Sequence, residues 1–311
     1  MRRIAAAILA ALVLAPAGNA AVTLGLYGES GRFRDLTGQR STSKHYFPPW
    51  NMGPGLLDRA LDNHGPVPLL AIQPKLPGGA GEAITPRGIA RGSGDAYLIR
   101  LNRALHRFGT RVYARPLPEM NGHWSSYCAY NADGTRRGRS HSKRAFKGAF
   151  RRIYVILKGG SRAELNGRLR ALGLRGVRTD LPRNPQVRVI WNPQGFGSPN
   201  VPGNMPAAYW PGGKYVDVVG NDLYDISGRA TWEAAHALYR RYPGKPYAFP
   251  EWGLWGLDDP EFIRRMRRFV GSHPRVELLS WYNGPKGSIW DLASKPASRK
   301  AYRRLIVPLA G

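Results

Sequence analysis

Residues 115–124 read RPLPEMNGHW, and residues 249–253 read FPEWG. Each run contains one glutamate, Glu119 or Glu251, where an extended apolar stretch meets a turn with glycine and aromatic residues. Hydrolysis of a glycosidic bond uses a pair of carboxyl groups that face the same bond. The two runs therefore predict a sugar-cleaving site, provided that the fold brings the two glutamates together.

Short β-rich runs alternate with amphipathic helical stretches along the rest of the chain, a pattern typical of parallel strands joined by helical crossovers. We predict eight strands, at residues 22–27, 45–47, 67–72, 111–116, 187–191, 216–220, 247–249 and 277–281. The predicted helices lie at residues 56–63, 95–108, 142–157, 232–241, 259–272 and 298–306.

Eight strand-helix units in about 290 residues favour one (β/α)₈ TIM barrel over residues 21–311, whose active site would lie at the C-terminal ends of the strands. A doubly wound open sheet is the alternative, but no Gly-x-Gly-x-x-Gly run follows the first strand. We expect both glutamates just after strands four and seven. Residues 74–81 and 195–211, rich in glycine and proline, are predicted to be strand-end loops that shape a cleft.

The first 20 residues resemble a secretory signal peptide. Arg2 and Arg3 precede an apolar run of about 12 residues, and Gly18-Asn19-Ala20 offers a small-x-small cleavage site. An uncleaved anchor is the alternative, but roughly 20 apolar residues are needed to span a bilayer. We therefore expect a secreted protein with no membrane association after cleavage.

The composition is strongly basic, with 47 Lys and Arg against 20 Asp and Glu and a net charge of +27. Such a charge attracts polyanions. The arginines are spread along the chain without a known nucleic-acid-reading motif, so no specific nucleic-acid partner is expected. A solvated basic surface and a partner such as an anionic cell-wall polymer both remain open.

Other kinds of site find little support. The single Cys128 excludes an internal disulfide, and the seven histidines show no metal-binding spacing. No Gly-x-Ser-x-Gly nucleophile elbow occurs. We predict no metal site, no cofactor and a monomer.

Around the two glutamates, aromatic faces could stack on sugar rings and amides could bond hydroxyls. Arg115 and Tyr224 could hold Glu251 ionised and oriented. For any single tryptophan, core packing is as reasonable as sugar stacking. The candidate substrate-binding residues are Arg115, Asn121, His123, Trp124, Asn192, Tyr224, Trp252 and Trp281.

These motifs resemble glycoside hydrolase family 26, which contains β-mannanases with some β-xylanases and mixed-linkage β-glucanases. Residues 115–124 look like its strand-four motif, and residues 209–224 resemble its Tyr-Pro-Gly…Val-Asp…Gly…Tyr stretch. Lys245-Pro246 followed by residues 250–253 resembles its strand-seven motif, and Trp281 resembles the tryptophan that ends strand eight.

The resemblance implies that Glu119 is the acid/base, Glu251 the nucleophile and Tyr224 its hydrogen-bonding partner, with Trp124 and Trp281 as sugar platforms. It implies hydrolysis of internal β-glycosidic bonds by double displacement, with β-mannan as the leading substrate and β-xylan or mixed-linkage β-glucan as alternatives.

One position departs from the family pattern. Members usually carry His immediately before the acid/base, in reach of the sugar 2-hydroxyl, whereas this chain has Pro118. Losing that contact should lower the rate unless Asn121 or His123 substitutes. A catalytically weak sugar-binding barrel and a polyanion-binding wall protein are therefore alternative functions.

Overall fold

A computed structural model describes residues 21–79 and 81–310. The predicted signal peptide lies outside these residues. Nine strands are described: β1 Thr23–Tyr27, β2 Ser43–Tyr46, β3 Leu69–Ile72, β4 Val112–Pro116, β5 Val187–Trp191, β6 Val218–Gly220, β7 Leu223–Ile226, β8 Tyr247–Trp255 and β9 Val276–Tyr282.

Helices occupy most of the connections between the strands. The described α-helices are α1 Ser30–Thr37, α2 Pro54–Asp62, α3 Pro86–Arg91, α4 Asp95–Phe108, α5 Lys143–Lys158, α6 Arg162–Arg170, α7 Trp232–Arg241, α8 Pro260–Ser272 and α9 Pro296–Leu305. Short 3₁₀ turns lie at Pro77–Gly79, Arg139–His141, Pro202–Asn204, Pro206–Tyr209, Gly213–Tyr215, Leu292–Ser294 and Val307–Ala310.

The strands close into a parallel barrel. Neighbours pair in the order β6-β5-β4-β3-β2-β1-β9-β8, and a further pairing of β6 with β8 completes the ring. The ninth strand, β7, pairs with the C-terminal half of β8 and follows β6 after an interruption at Asn221 and Asp222. The predicted (β/α)₈ barrel is therefore confirmed, with barrel strand six broken into two pieces.

The barrel has two apolar cores. Six strands each contribute one fully buried side chain to its interior, namely Leu69, Tyr113, Ile190, Val218, Ala248 and Leu278. A larger core fills the space between the sheet and the surrounding helices. Because successive strand residues face opposite sides, each interior residue marks which later positions face the mouth of the barrel.

Capping residues mark the ends of several helices. Asp259 accepts a hydrogen bond from the amide of Glu261 at the start of α8, and Pro260 takes the first helical position. Gly109 ends α4 in the left-handed conformation. Within the described residues, no helix has the length and apolarity needed to cross a bilayer.

Candidate active site

The mouth of the barrel collects polar side chains at the C-terminal ends of its strands. Arg115 lies two residues after the interior residue Tyr113 on β4, and Asn192 lies two after Ile190 on β5. Asp222 continues the alternation that begins at Val218. Residues two apart share a strand face, which is why these three side chains converge. All three are buried.

Glu119 follows β4 in a constrained backbone. Leu117 and Glu119 both adopt positive φ angles, of 49° and 53°. Such conformations cost roughly 1–3 kcal/mol in non-glycine residues and persist where surrounding contacts hold them. The amide of Glu119 donates to the carbonyl of Asn192 at 2.7 Å. This contact ties the turn to the end of β5 and holds the Glu119 side chain over the barrel mouth.

A bulge in β8 directs Glu251. Phe249 pairs with Leu279 and Trp252 with Trp281, so β8 uses one more residue than β9 over the same stretch. The extra residue sits at Pro250, which has no N–H to pair. Glu251 consequently faces the mouth. It lies inside β8, which corrects the prediction that it follows the strand; the strand continues six residues past the predicted end at Phe249.

One oxygen from each of Glu119, Asp222 and Glu251 lies within 4.8 Å of the others. Among the described residues, this is the group with spacing suited to a metal ion. The Arg115 guanidinium donates to both Glu251 and Asp222, and its Nε donates to Asn192 Oδ1 at 3.1 Å. Arg115 therefore already supplies positive charge to two of the three carboxylates.

Further hydrogen bonds fix the orientation of Glu251. The Tyr224 hydroxyl donates to Glu251 Oε2 at 2.7 Å, and the Glu251 amide donates to Asp222 Oδ1 at 3.0 Å. Burial raises the pKa of Tyr224 well above its ordinary value, and the Glu251 charge adds to this effect. Tyr224 therefore keeps its proton and remains a donor.

The pKa values of the two glutamates move in opposite directions. Burial acts to raise the pKa of Glu251, but the Arg115 charge and the hydrogen bonds from Arg115 and Tyr224 outweigh it, so the pKa falls below its ordinary value. Burial and the nearby Glu251 charge raise the pKa of Glu119. Glu251 is thus ionised at pH values where Glu119 retains a proton, which is how one site provides both a base and an acid.

Two neighbours shape this charge balance. Burial, together with Glu251 and Glu119, raises the pKa of Asp222 well above its ordinary value despite Arg115. Burial lowers the pKa of His45 to about 3, so that ring is neutral beside Glu251. One guanidinium lies among three carboxyl groups, and their mutual repulsion helps to raise the pKa values of Glu119 and Asp222.

Each oxygen of Glu119 also has a donor. Trp124 Nε1 donates to Oε2 at 2.7 Å, and Gln194 Nε2 donates to Oε1. Asn121 fixes the Gln194 backbone by accepting from its amide at 2.8 Å and donating to its carbonyl at 3.0 Å. Buried and occupied in this way, Asn121 does not bond sugar as the sequence suggested; it positions Gln194.

The carboxyl groups of Glu119, Asp222 and Glu251 line a cleft of about 920 Å³. Both predicted loops border it, through residues 75–79 on one side and Phe196 and Ser198 on the other. Trp124 and Trp255 are 52% and 42% exposed there. The lining also contains aromatic residues that stand around the entrance, namely Tyr27, Phe47, Tyr224, Tyr282 and Trp290.

Several predicted substrate contacts are corrected. Trp252 and Trp281 are fully buried and pack against each other, with ring centroids 4.7 Å apart, and against Tyr302 of α9. Both belong to the outer core. Trp281 faces outward because side chains alternate along β9, and the same alternation directs Tyr282 inward. Tyr282 stacks on Tyr27 at 4.5 Å inside the cleft.

His123 and Asn192 support the site from outside the cleft lining. His123 Nδ1 lies 3.1 Å from Ser198 Oγ, and the ring packs edge-on against Trp124. Asn192 is buried against Arg115. Neither Asn121 nor His123 therefore stands where it could replace the side chain missing at Pro118. Sequence reasoning left out Gln194 because its role depends on a loop conformation that no local pattern encodes.

The chain was compared with known proteins by sequence. No family model matches the chain. Endoglucanase H of Acetivibrio thermocellus is 21% identical over 291 residues, and the match covers 88% of this chain but only 28% of that protein. The chain thus spans about a quarter of the length of this curated relative.

Solved structures match over more of their length. A mannanase of Bacillus subtilis has a TM-score of 0.60 at 18% identity, covering 93% of this chain and 86% of that one. A family 26 β-mannanase of Bacteroides ovatus has a TM-score of 0.58 at 16% identity, covering 93% and 89%. The chain therefore has the fold of the glycoside hydrolase family 26 mannanases, which confirms the resemblance drawn from its motifs.

Proposed function

We propose that this protein is a secreted, retaining glycoside hydrolase that cleaves internal β-glycosidic bonds, with β-mannan as its leading substrate. The observation that carries the proposal is the pair formed by Glu119 and Glu251. Their oxygens lie within 4.8 Å, and their pKa values are shifted in opposite directions. The signal-like residues 1–20 support export.

The separation of the two carboxyl groups favours retention of anomeric configuration. Retaining enzymes hold them about 5–5.5 Å apart, whereas inverting enzymes need roughly 6.5–9.5 Å to admit a water molecule. In the first step Glu251 attacks the anomeric carbon while Glu119 gives its proton to the departing glycosidic oxygen. In the second step Glu119 takes a proton from water, which attacks the same carbon and releases Glu251.

The surrounding contacts suit each role. Arg115 and Tyr224 keep Glu251 ionised and aimed before attack. Trp124 and Gln194 stabilise Glu119 after it has lost its proton. The hydrogen bond from Trp124 acts to lower the pKa of Glu119, but burial and the Glu251 charge outweigh it.

The cleft supports endo action on a neutral glycan. It is open to solvent and its lining includes the exposed aromatic side chains Trp124, Phe196 and Trp255, which offer flat faces suited to stacking on pyranose rings. The fold neighbours are named as mannanases and the sequence relative as an endoglucanase. These names support a glycan substrate, and they are our reason for proposing β-mannan before other glycans. Because Pro118 offers no contact to the 2-hydroxyl, β-xylan and mixed-linkage β-glucan are kept as alternative substrates.

The deciding experiment is digestion of purified protein with mannan, xylan and mixed-linkage glucan, with the first-formed anomer followed by NMR. We expect oligosaccharides from mannan with the β configuration retained. Inverted product would remove the double-displacement mechanism. An absence of product on all three glycans, with binding to one of them, would instead support a catalytically weak sugar-binding barrel.

The pH dependence of kcat/KM is expected to follow a bell. Activity should rise as pH rises through the lowered pKa of Glu251, which must be ionised. It should fall as pH rises through the raised pKa of Glu119, which must be protonated. Initial rates at low substrate across the pH range measure both limbs. Two limbs that both lay below 4.5, the ordinary pKa of a glutamate, would contradict the acid role of Glu119.

Replacing Gln194 with leucine is expected to move the alkaline limb upward by about half a pH unit or more, because ionised Glu119 loses a donor. Gln73→Leu is the matched control, since Gln73 lines the same cleft and its side chain makes no hydrogen bond to Glu119. The control should leave the limb unchanged. If the alkaline limb lies at the same pH in both variants, Gln194 does not lower the pKa of Glu119.

A further inference from the structure

A second concave surface, the α5 groove, lies on the flank of the barrel. It is bounded by α3, the N-terminal half of α5, residues 172–175 and the outer side of the β4–α5 loop. Its volume is about 1300 Å³, larger than that of the cleft. Among the described residues, no acidic side chain lines it, whereas nine cationic side chains do, namely Arg87, Arg91, Arg136, Arg139, Lys143, Arg144, Lys147, Arg151 and Arg175.

These cations are gathered in one concavity without a carboxylate among the described lining residues. Some arginines elsewhere pair with carboxylates, as Arg107 does with Asp58 at 2.7 Å and Arg183 with Glu164 at 2.6 Å. Within residues 21–79 and 81–310, none of the nine groove cations forms a salt bridge. Like charges gathered in one concavity repel one another and raise the local concentration of anions.

The groove has a narrow, apolar floor. A Cβ atom at Gly148 would lie 3.0 Å from that of Ala90, so α3 and α5 are in close contact beneath it. Small residues line the floor of the groove, and the arginine and lysine side chains surround them. A chain lying in the groove would therefore meet charged groups on both sides.

The groove and the cleft share one loop. The Arg137 guanidinium donates to the carbonyls of Ser125 at 2.7 Å and Ser126 at 3.0 Å. This links the segment that carries Trp124 at the cleft to the segment that carries Arg136 and Arg139 at the groove. A polymer held in the groove would thus lie beside the cleft.

From these observations we infer that the α5 groove binds a polysaccharide that carries carboxylate groups, such as a uronic acid polymer. The planar guanidinium fork matches carboxylate geometry, and seven of the nine cations are arginines. The groove's aromatic lining is limited to the buried Tyr130, so it offers no exposed ring for base stacking. The choice of a glycan over nucleic acid rests on the proposed function of the neighbouring cleft.

The test measures binding of polygalacturonate to the Glu251→Ala protein by calorimetry at low and physiological salt. The groove variant combines Arg136→Glu, Arg139→Glu and Arg144→Glu, all exposed positions. The control combines Lys300→Glu, Arg303→Glu and Arg304→Glu on α9, which line a basic hollow of about 400 Å³. Duplex DNA and neutral mannan are the comparison ligands. Thermal unfolding checks that both triple variants fold, and neutral Gln substitutions at the same positions serve if either does not.

We expect the groove variant to lose about tenfold or more in affinity for polygalacturonate and the α9 variant less than about threefold, with both effects weakening at higher salt. Equal losses would assign binding to the diffuse surface charge and overturn the proposal. Tighter, groove-dependent binding of DNA would overturn the choice of ligand. Mannan hydrolysis by the unsubstituted protein is scored separately, so a failure of the groove is distinguishable from a failure of the cleft.

Discussion

Replacement of Glu251 by alanine is expected to lower kcat/KM on a cleavable β-glycan by about 10⁴-fold or more, because it removes the group that forms the covalent glycosyl intermediate. Asp222 lies close by, but it is engaged by Arg115 and its pKa is raised well above the ordinary value. It is therefore a poor replacement nucleophile. Folding should survive, since Arg115 retains Asp222 as its partner.

A small external nucleophile sharpens this prediction. Azide can enter the space left by the missing carboxylate and attack the same anomeric carbon, so added azide should restore part of the rate and yield a sugar azide of inverted configuration. Glu277→Ala is the control, because Glu277 pairs with Arg188 near the N-terminal end of the barrel and should change kcat/KM little. Activity of Glu251→Ala within tenfold of the unsubstituted protein would assign the nucleophile elsewhere.

The strands were predictable because a parallel barrel strand is a short apolar run that ends at a turn. Each of the eight predicted runs overlaps a described strand, and β5 has the predicted bounds. The prediction missed β7 because Asn221 and Asp222 interrupt the apolar run that begins with β6. It also stopped β8 at Phe249, since Pro250 usually ends a strand, whereas here it sits at a bulge.

The prediction missed the helices α1, α3 and α6, which carry weak helical patterns. The eight residues of α1 bury only Phe33 and Thr37. The nine residues of α6 bury only Leu165 and Leu169 and include Gly167, so their helical periodicity is faint. Its Ser161–Glu164 capping box was nevertheless visible in the sequence. The six residues of α3 are too few for a periodic signal. These helices depend on tertiary packing more than on their own sequence.

The paired glutamates were recognisable from the sequence because each lies among residues that are unusual around a surface glutamate. The sequence could not show which neighbours face the cleft. A single bulge reverses the direction in which Trp252 faces, and alternation on β9 directs Trp281 into the outer core. Asn121 has the right chemistry for a sugar contact, but its amide is used by the Gln194 backbone.

The second large effect concerns stability. Arg115→Met is expected to lower the free energy of unfolding at pH 7 by about 3–5 kcal/mol, because Glu251 and Asp222 stay buried without their cation. Loss of the guanidinium should also raise the pKa of Glu251, which moves the acidic limb of activity upward. Denaturant titration and a pH profile measure the two effects.

The pH dependence of this loss separates electrostatics from packing. In the unsubstituted protein the lowered pKa of Glu251 contributes stability above its unfolded value, and that stability is lost as pH falls through the folded pKa. In Arg115→Met the pKa of Glu251 is raised, so the deficit should shrink as pH falls and the carboxyl groups take up protons. A second substitution, Asp222→Asn, should recover part of the deficit at pH 7, because an amide at this position cannot carry negative charge beside Glu251. Arg188→Met, which breaks a half-exposed pair with Glu277, should cost only about 1 kcal/mol. A deficit that is independent of pH and unrelieved by Asp222→Asn would mean that Arg115 acts by filling space, and the ionised state of Glu251 would then need another source.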